Sequence, residues 1–163
     1  TLKDGLLEFK VVDKAGNSIS LNWDKGLALF KSFPKDPKRD NFPVMEIKDS
    51  DRVIIMFKGK GFGGPIWAML LIDQKTDEIL KIKFGHKAET DGYGAEIVRA
   101  SFQDQFIGKT LKGSAITFGL DQNRTESIKD IYLIDGISGA TVTSAAVVQM
   151  LNNGFMRLRL KSE

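Results

Sequence analysis

At 163 residues the chain is the size of one domain and can bury roughly 70% of its unfolded surface. Its composition, 42% hydrophobic and 28% charged with 16 Gly and 4 Pro, is that of a folded protein rather than a disordered or fibrous one. It has no Cys, one His and a net charge of +3 spread along the chain, which excludes disulfides, thiolate metal sites, iron–sulfur clusters, Cys nucleophiles and multi-histidine metal or haem sites. A charge this small and diffuse gives no support to nucleic-acid binding.

Leu6 to Val12 and Ser18 to Trp23 read as two short strands joined by a turn at Asp13-Lys14-Ala15-Gly16-Asn17. From Lys31 to Pro43, three prolines stand among Lys35, Asp36, Lys38, Arg39 and Asp40, the pattern of a solvated loop. Residues 1–43 are thus an opening hairpin and a Pro- and charge-rich loop, and 44–163 the core of a single domain. Strands follow at Val44 to Ile47 and Arg52 to Lys58, then a Gly-rich turn from Gly59 to Gly64 and a strand from Ile66 to Asp73. A turn over Gln74 to Asp77 leads into Glu78 to Phe84, where Leu80, Ile82 and Phe84 alternate with Ile79, Lys81 and Lys83 as in a half-buried strand.

Helix is expected from Glu96 to Phe106, strands at Ala115 to Leu120 and Ile131 to Ile134, and a last helix after Thr143. The order predicts an α+β fold: a mixed or antiparallel sheet with packed helices, including a C-terminal one. The chain starts at Thr1 without an initiator Met and lacks a run of about eighteen apolar residues, so it reads as a soluble part of a processed or longer protein.

The most informative stretch is Asp135-Gly136-Ile137-Ser138-Gly139-Ala140-Thr141, followed by Val142-Thr143-Ser144 and an apolar helical run. Two glycines let the backbone approach a ligand closely, and hydroxyls stand where a helix begins. First-turn N–H groups lack internal partners and carry the positive end of the helix dipole, so a phosphate is stabilised there without Arg or Lys. Ala145, Ala146, Val147, Val148, Met150, Leu151, Phe155, Met156 and Leu158 recur at three- and four-residue spacings and would bury one face of that helix.

This string resembles the flavinylation motif of the FMN-binding domain family, in which Asp, two spacers, Ser or Thr, Gly and Ala precede an acceptor Thr. The resemblance implies an FMN-binding domain fold whose FMN is joined through its phosphate to Thr141, by a separate magnesium-dependent flavin transferase that takes FMN from FAD. Asp135, Ser138, Gly139, Ala140, Val142 and Thr143 would surround the phosphate.

A second string, Glu89-Thr90-Asp91-Gly92-Tyr93-Gly94, is similar to the family's Glu-Thr-x-Gly-x-Gly loop, which lies against the flavin rings in relatives. It implies flavin contacts for Glu89, Thr90, Gly92, Tyr93 and Gly94, with Tyr93 packing on the rings. The chain has Asp91 where a family proline is common. Without the resemblance the glycines are turn residues, Glu89 a solvated carboxylate and His86 a polar strand end.

The third string, Gly59-Lys60-Gly61-Phe62-Gly63-Gly64-Pro65-Ile66-Trp67, lacks the Gly-Lys-Ser/Thr ending of a phosphate loop and opens a strand, not a helix. Its Gly-Pro-Ile-Trp end resembles the C subunits of sodium-translocating NADH:quinone oxidoreductases, with Trp67 either a cofactor contact or a core aromatic. That resemblance implies an electron-transfer flavoprotein in a bacterial inner-membrane complex. It further implies an N-terminal membrane helix outside this sequence, a soluble part on the periplasmic side, and other redox subunits as partners. No Gly-x-Gly-x-x-Gly opens a helix here, so NADH would bind another subunit. The rival readings are the G subunit of an Rnf-type complex, a flavin reductase with dissociable FMN, and a non-redox cell-envelope module of the same fold.

Overall fold

A computed structural model describes residues 5–110, 118–121 and 132–159. The parts of the expected strands at 115–117 and 131 lie outside the described residues.

Strands β1 (Leu7–Val12) and β2 (Ser18–Leu21) form the opening hairpin, with Val11 opposite Ile19. The carboxylate of Asp13 closes its turn by accepting from the N–H groups of Ala15 and Asn17, both at 2.9 Å. The expected second strand gives way at Asn22, whose side chain accepts from the Lys25 N–H at 2.9 Å and caps helix α1 (Trp23–Ser32). The sequence pattern does not announce that helix. Its backbone lies directly on the ring of Phe9: a Cβ on Gly26 would come within 2.1 Å of it. Gly26 lowers the helical signal of the segment, and the close packing is what requires it. A short turn of 3-10 helix, Phe33–Lys35, begins the Pro-rich loop.

Strands β3 (Phe42–Ile47), β4 (Arg52–Lys60), β5 (Pro65–Asp73) and β6 (Glu78–His86) complete a six-stranded sheet of order β2-β1-β3-β4-β5-β6. Every neighbouring pair in it is antiparallel. Cross-strand partners share a face, so Val44, Ile55, Leu70 and Ile82 form one row, at most 5% exposed. A neighbouring row, Lys58, Trp67 and Gly85, starts from the opposite face, and at the sheet rim the Lys58 ammonium folds back to donate to the carbonyls of Phe33 and Asp36.

Helix α3 (Thr141–Arg159) covers the buried face, with Val147, Met150, Leu151 and Phe155 all at 4% exposure or less. Burying such a side chain is worth about 1.5–3 kcal/mol, enough to fix the helix and its first turn. Where α3 crosses β4 the backbones come close, since a Cβ on Gly59 would lie 3.0 Å from that of Met150 and one on Gly154 2.5 Å from the Phe57 ring.

The expected helix 96–106 is broken into a 3-10 segment at Gly94–Val98, the short helix α2 (Ala100–Gln103) and a 3-10 turn at Asp104–Phe106. Arg99 between them is extended, at φ −74° and ψ 144°. The break buries Ile97, Phe102 and Phe106 together while letting the Gln103 side chain accept from the Phe84 N–H at 2.7 Å on the outer edge of β6. Strands β7 (Phe118–Asp121) and β8 (Tyr132–Asp135) pair in parallel as a separate sheet. The amide of Asn152 in α3 grips both backbone groups of Phe118, donating at 2.9 Å and accepting at 3.1 Å.

Candidate functional site

The chain leaves β8 at Asp135 and turns into α3 through Gly136 to Ala140. Gly139 has φ +76°, a left-handed conformation that suits glycine. Ser144, fully buried, ties this turn together: its hydroxyl accepts from the Ile137 N–H at 3.0 Å and donates to the Ala140 carbonyl at 2.9 Å. The first helical bond runs from the Ser144 N–H to the same carbonyl. The N–H groups of Thr141, Val142 and Thr143 therefore have no acceptor among the described residues. Thr141 and Val142 are exposed, whereas Thr143 is 1% exposed. Of the three hydroxyls expected at this helix start, Thr141 faces outward and the other two support the turn from within.

Thr143 makes its bond to Glu89. The Glu89 carboxylate, 7% exposed, accepts from the Thr143 hydroxyl at 2.6 Å through one oxygen and from the Gly63 N–H at 2.7 Å through the other. All three glycine-containing strings thus meet at one side chain. Their glycines make room for it, because a Cβ on Gly61 would sit 2.5 Å from one Glu89 oxygen and one on Gly94 2.3 Å from the other. Glu89 is neither solvated nor free; it is the bolt that holds the loops to the helix. Its own N–H donates to Nδ1 of His86 at 3.2 Å, which leaves the proton of a neutral His86 on Nε2.

The loop after Glu89 turns back through the Thr90 carbonyl, which accepts from the N–H groups of Tyr93 and Ala95 at 3.1 Å. Gly92 has φ +76° with open space around it. Tyr93 is 53% exposed and lies against Gly139, where a Cβ would come 2.9 Å from its ring. Thr90, Tyr93, Ser138, Gly139, Thr141 and Val142 are exposed, while Glu89, Gly94, Ala140 and Thr143 are buried. Asp135 is held by Gln105, whose amide accepts from its N–H at 2.8 Å and donates to its carbonyl at 3.1 Å. Sequence reasoning misses Gln105, because a glutamine inside an expected helix carries no signal and its partner is 30 residues away.

Trp67 is not part of this gathering. It pairs with Lys58 and Gly85 on the sheet face opposite α3, half-buried, its indole filling the place of a Gly85 side chain at 2.2 Å. Lys83, opposite Met69, likewise points from the face that α3 leaves open. Among the described residues no group of three His, Asp or Glu side chains is placed to hold a metal ion. No described helix is long and apolar enough to cross a membrane.

The sequence profile of the FMN-binding domain family matches residues 61–155. Among similar proteins, the C subunit of the Na(+)-translocating NADH-quinone reductase of Vibrio alginolyticus is 30% identical over 116 residues, covering 64% of this chain and 42% of the relative. Its namesake from Chlamydia caviae is 34% identical over 113 residues, covering 60% of this chain and 35% of the relative. The chain thus spans less than half the length of these curated relatives. The crystal structure of the C subunit of that reductase from Parabacteroides distasonis superposes with a TM-score of 0.70 at 24% identity, over 97% of this chain and 79% of that one. That of Shewanella oneidensis NqrC does so at 0.64 and 21%, over 97% and 85%. At these identities the structures speak to the fold, which they share.

Proposed function

Because this chain belongs to the FMN-binding domain family, we propose that it carries FMN as a phosphoester on the side chain of Thr141 and serves as an electron carrier in a membrane-bound sodium-translocating NADH:quinone oxidoreductase. The observation that carries the reading is the head of α3. There an exposed threonine hydroxyl opens a 19-residue helix whose first three N–H groups have no acceptor among the described residues. Those donors and the dipole behind them suit a phosphate ester without a cationic side chain.

In the attachment reaction the Thr141 oxygen attacks the FMN-side phosphorus of FAD, the pyrophosphate bond breaks, AMP leaves and the hydroxyl proton is released. The domain gains one FMN less one water. A magnesium-dependent flavin transferase supplies the catalysis, so Thr141 is an anchor. Once bound, the flavin supplies the redox chemistry and the protein supplies position and electrostatics. Ser138, Gly139, Ala140, Val142 and Thr143 form the turn around the phosphate, held from Asp135 by Gln105 and from below by Glu89. The loop of Thr90, Gly92, Tyr93 and Gly94 receives the ring system, with Tyr93 half-exposed beside Gly139.

The names of the relatives support the complex, and the lack of a nicotinamide motif supports electron donation by another subunit. The proposal includes attachment to the inner membrane by a helix outside this sequence, with this domain on the periplasmic side.

The test is the intact mass of the domain co-produced with a flavin transferase, with and without Thr141→Ala. A gain of one FMN less one water, absent from the variant and mapped to Thr141 by fragmentation, is expected. No gain under a transferase active on a control substrate would overturn the covalent reading.

A further inference from the structure

At the rim of the sheet, β4 runs on past the end of its pairing with β3, whose register stops at Val44 opposite Ile55. The segment 33–42 and the C-terminal half of α3 close around the overhang and leave a cavity of about 150 Å³. Phe42, Phe57, Met150 and Gly154 form a buried apolar floor, and Arg39, Lys58 and Arg157 stand around it on three different elements.

The donor inventory of those cations is incomplete. Lys58 gives two of its three N–H groups to the carbonyls of Phe33 and Asp36. Arg157 donates from Nη1 to the Asp40 carbonyl at 2.6 Å, and Arg39 from Nε to the Asp36 carboxylate at 3.3 Å. Neither Lys58 nor Arg157 has a carboxylate within ion-pair distance among the described residues. The one carboxylate lining the cavity, Asp40, pairs with Lys14 at 2.9 Å. The side chains are held where they are: the Lys58 ammonium lies 4.6 Å from the centre of the Phe33 ring, and the Arg157 guanidinium 5.6 Å from that of Phe42. Desolvation, with a smaller contribution from the Arg39 charge, holds the Lys58 ammonium below its ordinary pKa, and Asp36 and Asp40 offset this only in part.

We propose that this cavity is a second anion site, specific for a phosphate-class oxyanion, with Lys58 and Arg157 as the chief ligands and Arg39 at the mouth. Three cations approaching from three elements suit a group with three or four acceptor oxygens better than a carboxylate with two, and the guanidinium forks can bond it in pairs. The apolar floor strengthens each contact by excluding water. The cavity lines α3 from Met150 to Arg157, about 14–24 Å along the helix from Thr141, so it is separate from the site at the helix head. Free phosphate and the phosphate of an anionic lipid headgroup are the two sources of this chemistry.

Titration with inorganic phosphate, at ionic strength fixed with chloride and followed by amide NMR, tests the site. Shifts of the Lys58, Asn153 and Gly154 signals with sub-millimolar to millimolar affinity are expected, weakened at least tenfold in both Lys58→Met and Arg157→Gln. Signals of residues 141–144 report the helix head separately. If Lys58→Met unfolds, since its ammonium also holds the 33–36 turn, Arg157→Gln decides alone. Co-sedimentation with phosphatidylglycerol vesicles, against phosphatidylcholine, is the second arm. Binding there that Arg157→Gln abolishes, without response to free phosphate, assigns the site to a headgroup and supports it. Shifts that chloride reproduces, that persist in Arg157→Gln, or that appear in neither arm overturn the proposal.

Discussion

The carboxylate of Glu89 and the hydroxyl of Thr143, 54 residues apart, meet at 2.6 Å in a space closed to solvent, and the other carboxylate oxygen takes the Gly63 N–H. One side chain thus fixes the first turn of α3 relative to both glycine loops. Glu89→Ala leaves a buried hydroxyl and a backbone N–H without their acceptor and should cost about 3 kcal/mol. Glu89→Gln should cost less, because its carbonyl can still accept from Gly63 while its amide donates to the Thr143 oxygen. Urea unfolding of the two variants checks this; a loss below about 1 kcal/mol in Glu89→Ala would mean that the bolt is redundant.

The sequence carries the strands well, because β4, β5 and β6 are long apolar or alternating runs bounded by turn residues. The helix head is also legible, since its turn glycines and hydroxyls are adjacent in the chain. What stays hidden depends on partners far away in sequence. Glu89 reads as a surface carboxylate because nothing near it announces the hydroxyl and N–H that bury it. Helix α1 is obscured by Gly26, which only the ring of Phe9 explains. The break at Arg99 serves edge capping by Gln103 and the grip of Gln105 on Asp135, both invisible to a local pattern.

Gln105 acts on Asp135 as a strand would, one amide satisfying both backbone groups. Gln105→Leu should therefore destabilise by about 1 kcal/mol and speed exchange of the Asp135 amide hydrogen by roughly tenfold relative to its neighbours in β8. Gln105→Glu should do at least as much, because it faces the Asp135 carbonyl with a second acceptor. Unchanged Asp135 exchange in both variants would show that the bonds are not persistent.

Acid should loosen the segment around residue 40 only as pH falls below the ordinary carboxylate value. The Asp40 carboxyl is held below its ordinary value of 3.8 chiefly by the hydrogen bond from Lys14 and the charge on it, and that of Asp36 by the Lys38 N–H and then Arg39. A carboxyl whose folded pKa is depressed stabilises the fold above the unfolded value, and this is lost as pH falls through the folded one. Asp40→Asn and Asp36→Asn should then be slightly less stable than the parent at neutral pH and converge with it below pH 3.8. Both groups are at the surface, so high salt should shrink the difference. A difference that persists unchanged at low pH would place the effect in packing instead.

Gly92 and Gly94 stand two residues apart in one loop, and their substitutions should fail for different reasons. Gly92 has φ +76° and open space around it, so Gly92→Ala meets only the left-handed penalty of about 1–2 kcal/mol. Gly94 has no such backbone constraint, but a Cβ there would lie 2.3 Å from a Glu89 oxygen and 2.8 Å from the Thr143 hydroxyl. Gly94→Ala should force the buried pair apart and cost about 2–4 kcal/mol. The two effects separate in a double-mutant cycle. In a Glu89→Ala background the carboxylate that the new methyl group would strike is gone and only the approach to the Thr143 hydroxyl at 2.8 Å remains, so Gly94→Ala should add less than in the parent, with a coupling of about 1–3 kcal/mol. Gly92→Ala should add its full cost in the same background, because its strain involves no side chain. If Gly94→Ala and Glu89→Ala proved additive, the close approach of Gly94 to the carboxylate would not be the reason glycine occupies that position.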